Sequence, residues 1–98
     1  MPYRLSALAE RDLEEIWSYV AEDASPTTAD GLIDDLIDRF ELLAEHPRMG
    51  RLRPEFGEHV RSFAVESHLI YYRHEGDLVI ARILHGRRDQ AAAWSELS

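Results

Sequence analysis

The sequence predicts an α+β fold: one strand, two helices, then three strands, with the helical hairpin packed on one face of a small, mainly antiparallel sheet. Three observations carry this. Apolar residues recur at helical spacing over residues 7–22 and again over 26–45. The second half switches to short runs rich in Val, Ile, Tyr and Phe, divided by turn signals. Only a few residues join the two helical stretches, so the helices must pack antiparallel.

Tyr3-Arg4-Leu5 alternates and reads as an edge strand. Ser6 is placed to cap a helix over residues 7–22, whose apolar face is Ala9, Leu13, Ile16, Trp17 and Val20. Trp17 is assigned to the core, and Asp12 reads as an early-helix charge that favours the helix dipole. Ser25-Pro26 pairs a capping serine with proline at the first helical position. The helix it starts buries Ala29, Leu32, Ile33, Leu36, Ile37, Phe40, Leu43 and Ala44, and Pro47 stops it near His46. A basic turn follows, from Arg48 to Pro54, punctuated by Gly50.

Val60-Arg61-Ser62-Phe63-Ala64-Val65 is a strand, with Glu66-Ser67 as a tight turn. The next two strands form a hairpin around a two-residue Glu75-Gly76 loop, so that Tyr72 opposes Val79 and Ile70 opposes Ala81. This register puts Ile70, Tyr72, Val79, Ala81 and Ile83 under the helices, with Phe63 and, near the edge, Arg61. The other face then carries Leu69, Tyr71, Arg73, Leu78, Ile80, Arg82 and Leu84.

Composition narrows the chemistry. Ninety-eight residues suit a single domain, expected over 1–98. With no cysteine there is no disulfide, thiol nucleophile or zinc–thiolate site. All 11 basic residues are arginine, which removes any lysine base or Schiff base. His46, His59, His68 and His74 lack metal-ligand spacing, so neither metal nor cofactor is expected. No apolar run approaches the ~20 residues of a membrane span, and the N-terminus lacks a signal-peptide pattern; a cytoplasmic protein is expected. The net charge of −8 argues against direct nucleic-acid binding. That charge is uneven: residues 1–45 hold 12 acidic residues and 3 arginines, whereas 46–98 hold 7 and 8.

The last strand, Leu78-Val79-Ile80-Ala81-Arg82-Ile83-Leu84, opens into His85-Gly86-Arg87-Arg88-Asp89. Positive charge is thereby delivered to one end of the sheet. Leucine, isoleucine and tyrosine on the face away from the helices are poor chemistry for bare solvent, and a C-terminal segment, a second copy or a partner chain laying an amphipathic helix or strand across it is expected to cover them. The candidate contact residues are Leu69, Tyr71, Arg73, Ile80, Arg82, Leu84, Arg87 and Arg88. Ala91-Ala92-Ala93-Trp94 could fold back as a short helix toward the same side.

The whole chain resembles the RelE/ParE superfamily of bacterial toxins, and is most similar to its ParE branch. The resemblance rests on residues 6–19 of the first helix, on Glu41-Leu42-Leu43-Ala44-Glu45-His46-Pro47-Arg48-Met49-Gly50-Arg51, on Val60-Arg61-Ser62-Phe63, on Leu69-Ile70-Tyr71-Tyr72-Arg73, and on Arg82-Ile83-Leu84-His85-Gly86-Arg87-Arg88-Asp89. It implies the toxin half of a toxin–antitoxin pair, silenced by a cognate antitoxin. ParE-type relatives are associated with poisoning DNA gyrase; RelE-type relatives cut messenger RNA on the ribosome.

RNA cleavage needs an acid, a base and positive charge for the transition state. Arg61, Arg82 and His85 are suitable types, and Glu55 offers a base. RelE-like nucleases typically add lysines or a tyrosine near the C-terminus; here lysine is absent and no tyrosine follows Tyr72. The gyrase reading needs a contact surface and no catalytic residues. A third reading is a family member that binds its antitoxin without being toxic.

Overall fold

The computed structural model describes residues 3–86. Strand β1 (Tyr3–Leu5) leads into helices α1 (Ala7–Asp23) and α2 (Pro26–Glu45). Then come β2 (Arg51–Leu52), a 3-10 turn (Pro54–Phe56), β3 (Val60–Val65), β4 (His68–Glu75) and β5 (Asp77–His85). The sheet order is β1-β5-β4-β3-β2, with β1 parallel to β5 and the other pairings antiparallel. The α+β architecture expected from sequence is present, with β2 and the 3-10 turn added inside what reads as a plain basic turn.

The helix ends follow local chemistry. Ser6 Oγ accepts from the Ala9 amide at 3.0 Å and Ser25 Oγ from the Thr28 amide at 3.1 Å, each satisfying a donor that the first helical turn leaves open. Pro26 sits in the first turn of α2, and His46 caps its end by donating to the Leu42 carbonyl. The two helices bury Ala9, Leu36, Phe40 and Leu43 against Ile70, Tyr72, Leu78, Ile80 and Ile83 of the sheet. Tyr3 meets Phe40 edge-on at 5.5 Å, which ties β1 to α2.

The β4–β5 register departs from the expected one. Glu75 pairs directly with Asp77, leaving Gly76 (φ +86°) to turn the chain in a conformation that favours glycine. Tyr72 therefore opposes Ile80, and the one-residue slip exchanges the two faces. Leu78 and Ile80 lie under the helices, where Val79 and Ala81 were expected. A bulge then restores the phase: Tyr72 opposes Ile80 but Tyr71 opposes Arg82, so Ala81 is the extra residue and Ile83 returns to the helical side. In β3 the predicted arrangement holds, with Phe63 opposite Ile70 and Arg61 opposite Tyr72.

The second sheet face is partly covered from within, contrary to expectation. Val60, Tyr71 and Leu84 form a buried cluster with Phe56 and Leu69 packed against it. Phe56, carried by the 3-10 turn, meets Tyr71 edge-on at 5.5 Å. The Arg53 guanidinium lies over both rings, 5.1 Å from Phe56 and 5.6 Å from Tyr71. The turn that reads as basic punctuation is thus an apolar flap with a cation on top.

The loop after α2 is fastened by Tyr72, whose hydroxyl accepts from the Gly50 amide and donates to the Pro47 carbonyl, both at 2.8 Å. A Cβ on Gly50 would stand 2.4 Å from that hydroxyl and 2.8 Å from the Ser62 carbonyl, so only glycine fits. Gly50→Ala should cost about 1–3 kcal/mol through overpacking. Tyr72→Phe should cost about the same by leaving a buried amide unpaired. Urea denaturation should show lower midpoints for both, and the effects should be less than additive because they act on one contact.

Candidate functional site

Two residues out of place in their local patterns find each other. Asp12 lies on the apolar stripe of α1, three residues after Ala9 and four before Ile16. Arg82 interrupts the apolar run of β5. The carboxylate accepts from Arg82 Nε and Nη2, each at 2.8 Å, and from the Ile83 amide at 2.9 Å. Both side chains are sealed, with 4% and 6% exposure for Asp12 and Arg82 respectively. Either charge alone at that depth would be very costly; the two-pronged pairing and the extra backbone donor offset the lost hydration. Arg82, a candidate partner contact that could equally pair with an acidic group, and Asp12, read as an early-helix charge, join α1 to β5. The signal was in the sequence: a carboxylate on a buried helical stripe requires a buried cation.

Where β1 ends, α1 takes over the flank of β5. The Ser6 amide donates to the Ile80 carbonyl at 3.0 Å, Ser6 Oγ donates to the Ala81 carbonyl at 2.7 Å, and Asp12 covers the Ile83 amide. Further along, the second half of α1 stands off from the sheet, and a cleft of about 550 Å³ opens between them. Ile16, Val20 and Ile83 supply its apolar wall; Tyr19 stands at the rim, 69% exposed. Trp17, assigned to the core from sequence, is instead 37% exposed, and its Nε1 donates to Asp30 at 2.8 Å across the hairpin.

His68 and His85 close the cleft at the end of β4 and β5. They are cross-strand partners with rings edge-on at 5.4 Å. His68 Nδ1 is buried with no hydrogen-bond partner among the described residues. Burial pushes the His68 imidazole below the ordinary histidine value; His85 adds to this and Glu66 opposes it. The same two histidines, with Leu69 and Gly86, border a second hollow of about 530 Å³ around the end of the sheet. The two hollows thus share this histidine pair, one on the α1 side and one reaching Leu69.

The remaining sequence-selected residues separate. Tyr71 and Leu84 are buried under the Phe56 flap, and Ile80 is buried on the helical side. Leu69 is half-buried and Arg73 exposed. Arg87, Arg88 and residues 91–94 lie outside the described residues. Of the four residues weighed for RNA cleavage, Glu55 pairs with Arg53, and the other three do not share a site. Arg61 donates to the Arg48 and Gly50 carbonyls beside β2, Arg82 is engaged by Asp12, and His85 stands at the opposite end of the sheet. Their cross-strand partners Tyr72 and His68 are four residues apart on β4, about 13 Å of strand. Among the described residues no group of three or more His, Cys, Asp or Glu could hold a metal ion, and no helix is long and apolar enough to cross a membrane.

Residues 3–90 match the family model described as the ParE toxin of the type II toxin–antitoxin system, parDE. The chain belongs to the ParE toxin family. This ParE-family chain is 36% identical over 84 residues to Toxin ParE1 of Caulobacter vibrioides, spanning 86% of the chain and 88% of the relative. It is 33% identical over 89 residues to Toxin ParE1 of Mycobacterium tuberculosis, spanning 89% and 91%. In fold it matches a solved chain described as the chromosomal ParDE TA system from P. aeruginosa, with a TM-score of 0.74 at 23% identity over 87% of this chain and 95% of that one. Family membership makes the chain a type II toxin by descent, and its helix–sheet arrangement is the one found in that ParDE structure.

The ion pair yields a stability test. Asp12→Ala should cost about 3–5 kcal/mol by stranding a buried guanidinium. The double replacement Asp12→Leu/Arg82→Met should be far less damaging, which a double-mutant cycle in urea would read. The histidine pair gives a pH test. The lowered folded-state value means that the unfolded chain holds more protons in the window just below pH 6.5, so stability rises with pH there and is lost on acidification. Melting temperatures from pH 7.5 down to 5.5 should fall more steeply for the wild type than for His68→Gln.

Proposed function

We propose that this chain inhibits DNA gyrase in the cytoplasm and is held silent by a cognate antitoxin seated in the cleft between α1 and the end of β4–β5. The cleft is the observation that carries the antitoxin half. It joins an apolar wall of Ile16, Val20 and Ile83 to a projecting tyrosine, which suits the apolar face of an amphipathic segment. The hollow on the other side of the histidine pair reaches Leu69, one of the residues selected from sequence for partner contact. Tyr71, Arg82 and Leu84 then lie behind this surface, whereas Arg73 stands toward the far end of β4. Arg87 and Arg88 follow Gly86 directly in sequence and add cations for an acidic antitoxin tail.

The gyrase half rests on the ParE branch of the family and on the scattering of the nuclease candidates. Arg61 and His85 lie toward opposite ends of the sheet, and Arg82 is committed to Asp12. A contact poison needs a surface and no assembled acid–base group.

The test is induced expression with and without the neighbouring short reading frame. Stalled replication, SOS induction and blocked supercoiling by purified gyrase are expected, all relieved by the antitoxin. Cut messages on arrested ribosomes would overturn the gyrase reading, and harmless growth would make the chain a non-toxic family member. Tyr19→Ala should weaken antitoxin capture about 30-fold, near 2 kcal/mol, as expected for an aromatic anchor at an interface. Unchanged capture would move the antitoxin elsewhere.

A further inference from the structure

A third concavity, of about 350 Å³, lies beside β2, away from the cleft, and is lined by Pro47, Arg48, Leu52, His59, Arg61 and His74. Its polar side chains are two guanidiniums and two imidazoles, with no carboxylate in the lining. Glu58 and Glu75 adjoin His59 and His74 in sequence, yet neither lines the cavity. In a protein of net charge −8, an unneutralised cationic hollow needs an explanation. Arg48 and Arg61 have no acidic partner within 4 Å among the described residues.

Arg61 is held in place. Arg61 is half-buried, and its Nη1 donates to the Gly50 carbonyl at 2.8 Å and to the Arg48 carbonyl at 3.3 Å. That anchor occupies one guanidinium nitrogen; Nε and Nη2 make no further hydrogen bond to the described residues. Gly50 is itself fixed by Tyr72, so the cation stands on a rigid base. His59 enters from the other side with φ +65°, a left-handed conformation that non-glycine residues adopt infrequently and that concentrates at functional positions. His74 comes from β4, two residues beyond Tyr72, on the same face of the strand.

We propose that this hollow binds a phosphoryl group. A carboxylate carries one charge on two oxygens, and a single arginine fork satisfies it. Two guanidiniums match the higher charge of a phosphate, and two imidazoles add hydrogen-bond donors for its tetrahedral oxygens. The volume admits a ligand larger than the bare ion, and the exposed Leu52 offers an apolar shelf beside the cations. The phosphate could belong to a small molecule such as a nucleoside phosphate or to a nucleic-acid backbone; the chemistry of the site is the same.

The full chain should be titrated with inorganic phosphate, a nucleoside diphosphate and a short DNA duplex, with amide shifts followed by NMR. Saturable shifts confined to residues 48–52, 59–61 and 72–75 are expected. Arg48→Gln, an exposed change that removes no hydrogen bond seen here, should weaken phosphate binding at least tenfold without lowering the melting temperature. Arg11→Gln, the same charge change on α1, should have no effect. Tighter binding of the diphosphate assigns a small-molecule source. Tighter binding of the duplex, falling steeply with salt, assigns a nucleic acid. Acetate binding as well as phosphate, or an Arg48→Gln variant with unaltered affinity, overturns the proposal.

Discussion

The paired charges of Asp12 and Arg82 are the constraint around which the rest is arranged. A lone carboxylate or guanidinium at that depth would leave the folded state with a desolvated ion, so neither α1 nor β5 can settle in a position that separates them. The carboxylate also takes the Ile83 amide, which makes the match sensitive to strand register as well as helix placement. Hydrophobic contact alone would tolerate a helix that slides or rotates; three hydrogen bonds on one carboxylate do not. The angle at which α1 leaves the sheet is set there, and with it the width of the cleft beyond.

The legible parts of the fold were those decided by neighbouring residues. Ser6, Ser25-Pro26 and His46-Pro47 mark helix boundaries through bonds and clashes that span four residues or fewer, and the structure places the helix ends within a residue of them. The Glu66-Ser67 turn gave the β3–β4 register correctly for the same reason. The β4–β5 register was not legible, because it depends on how Gly76 turns and on a bulge at Ala81 that no local pattern announces. Leu78, Val79, Ile80 and Ala81 are all apolar, so alternation could not reveal the slip.

The candidate site was half legible. An arginine in an apolar strand marked Arg82 as unusual, but its role follows from a carboxylate 70 residues away. The Phe56 flap was invisible because a short turn rich in arginine and proline resembles solvent-exposed punctuation, and only tertiary contact makes Phe56 and Arg53 a cover for Tyr71. Trp17 misled through its size: a large aromatic on an amphipathic helix is usually core, yet its indole needs a hydrogen-bond partner and finds one at the rim. The uneven charge along the chain does become spatial. The helical layer carries most of the acid, and the β2 side of the sheet carries Arg48, Arg51, Arg53 and Arg61, of which Arg53 is paired with Glu55.

The first strand pairs with the last, and Ser6 bonds to a carbonyl 75 residues further on. Such closure makes folding wait on synthesis. On the ribosome, the helical hairpin emerges with an unmatched carboxylate on its greasy stripe and a sheet flank still missing, and it stays incomplete until residues 77–85 have cleared the exit tunnel. Because the cleft is built from α1 and from the strands that end at His85, a nascent or truncated product that stops before β5 is complete lacks it.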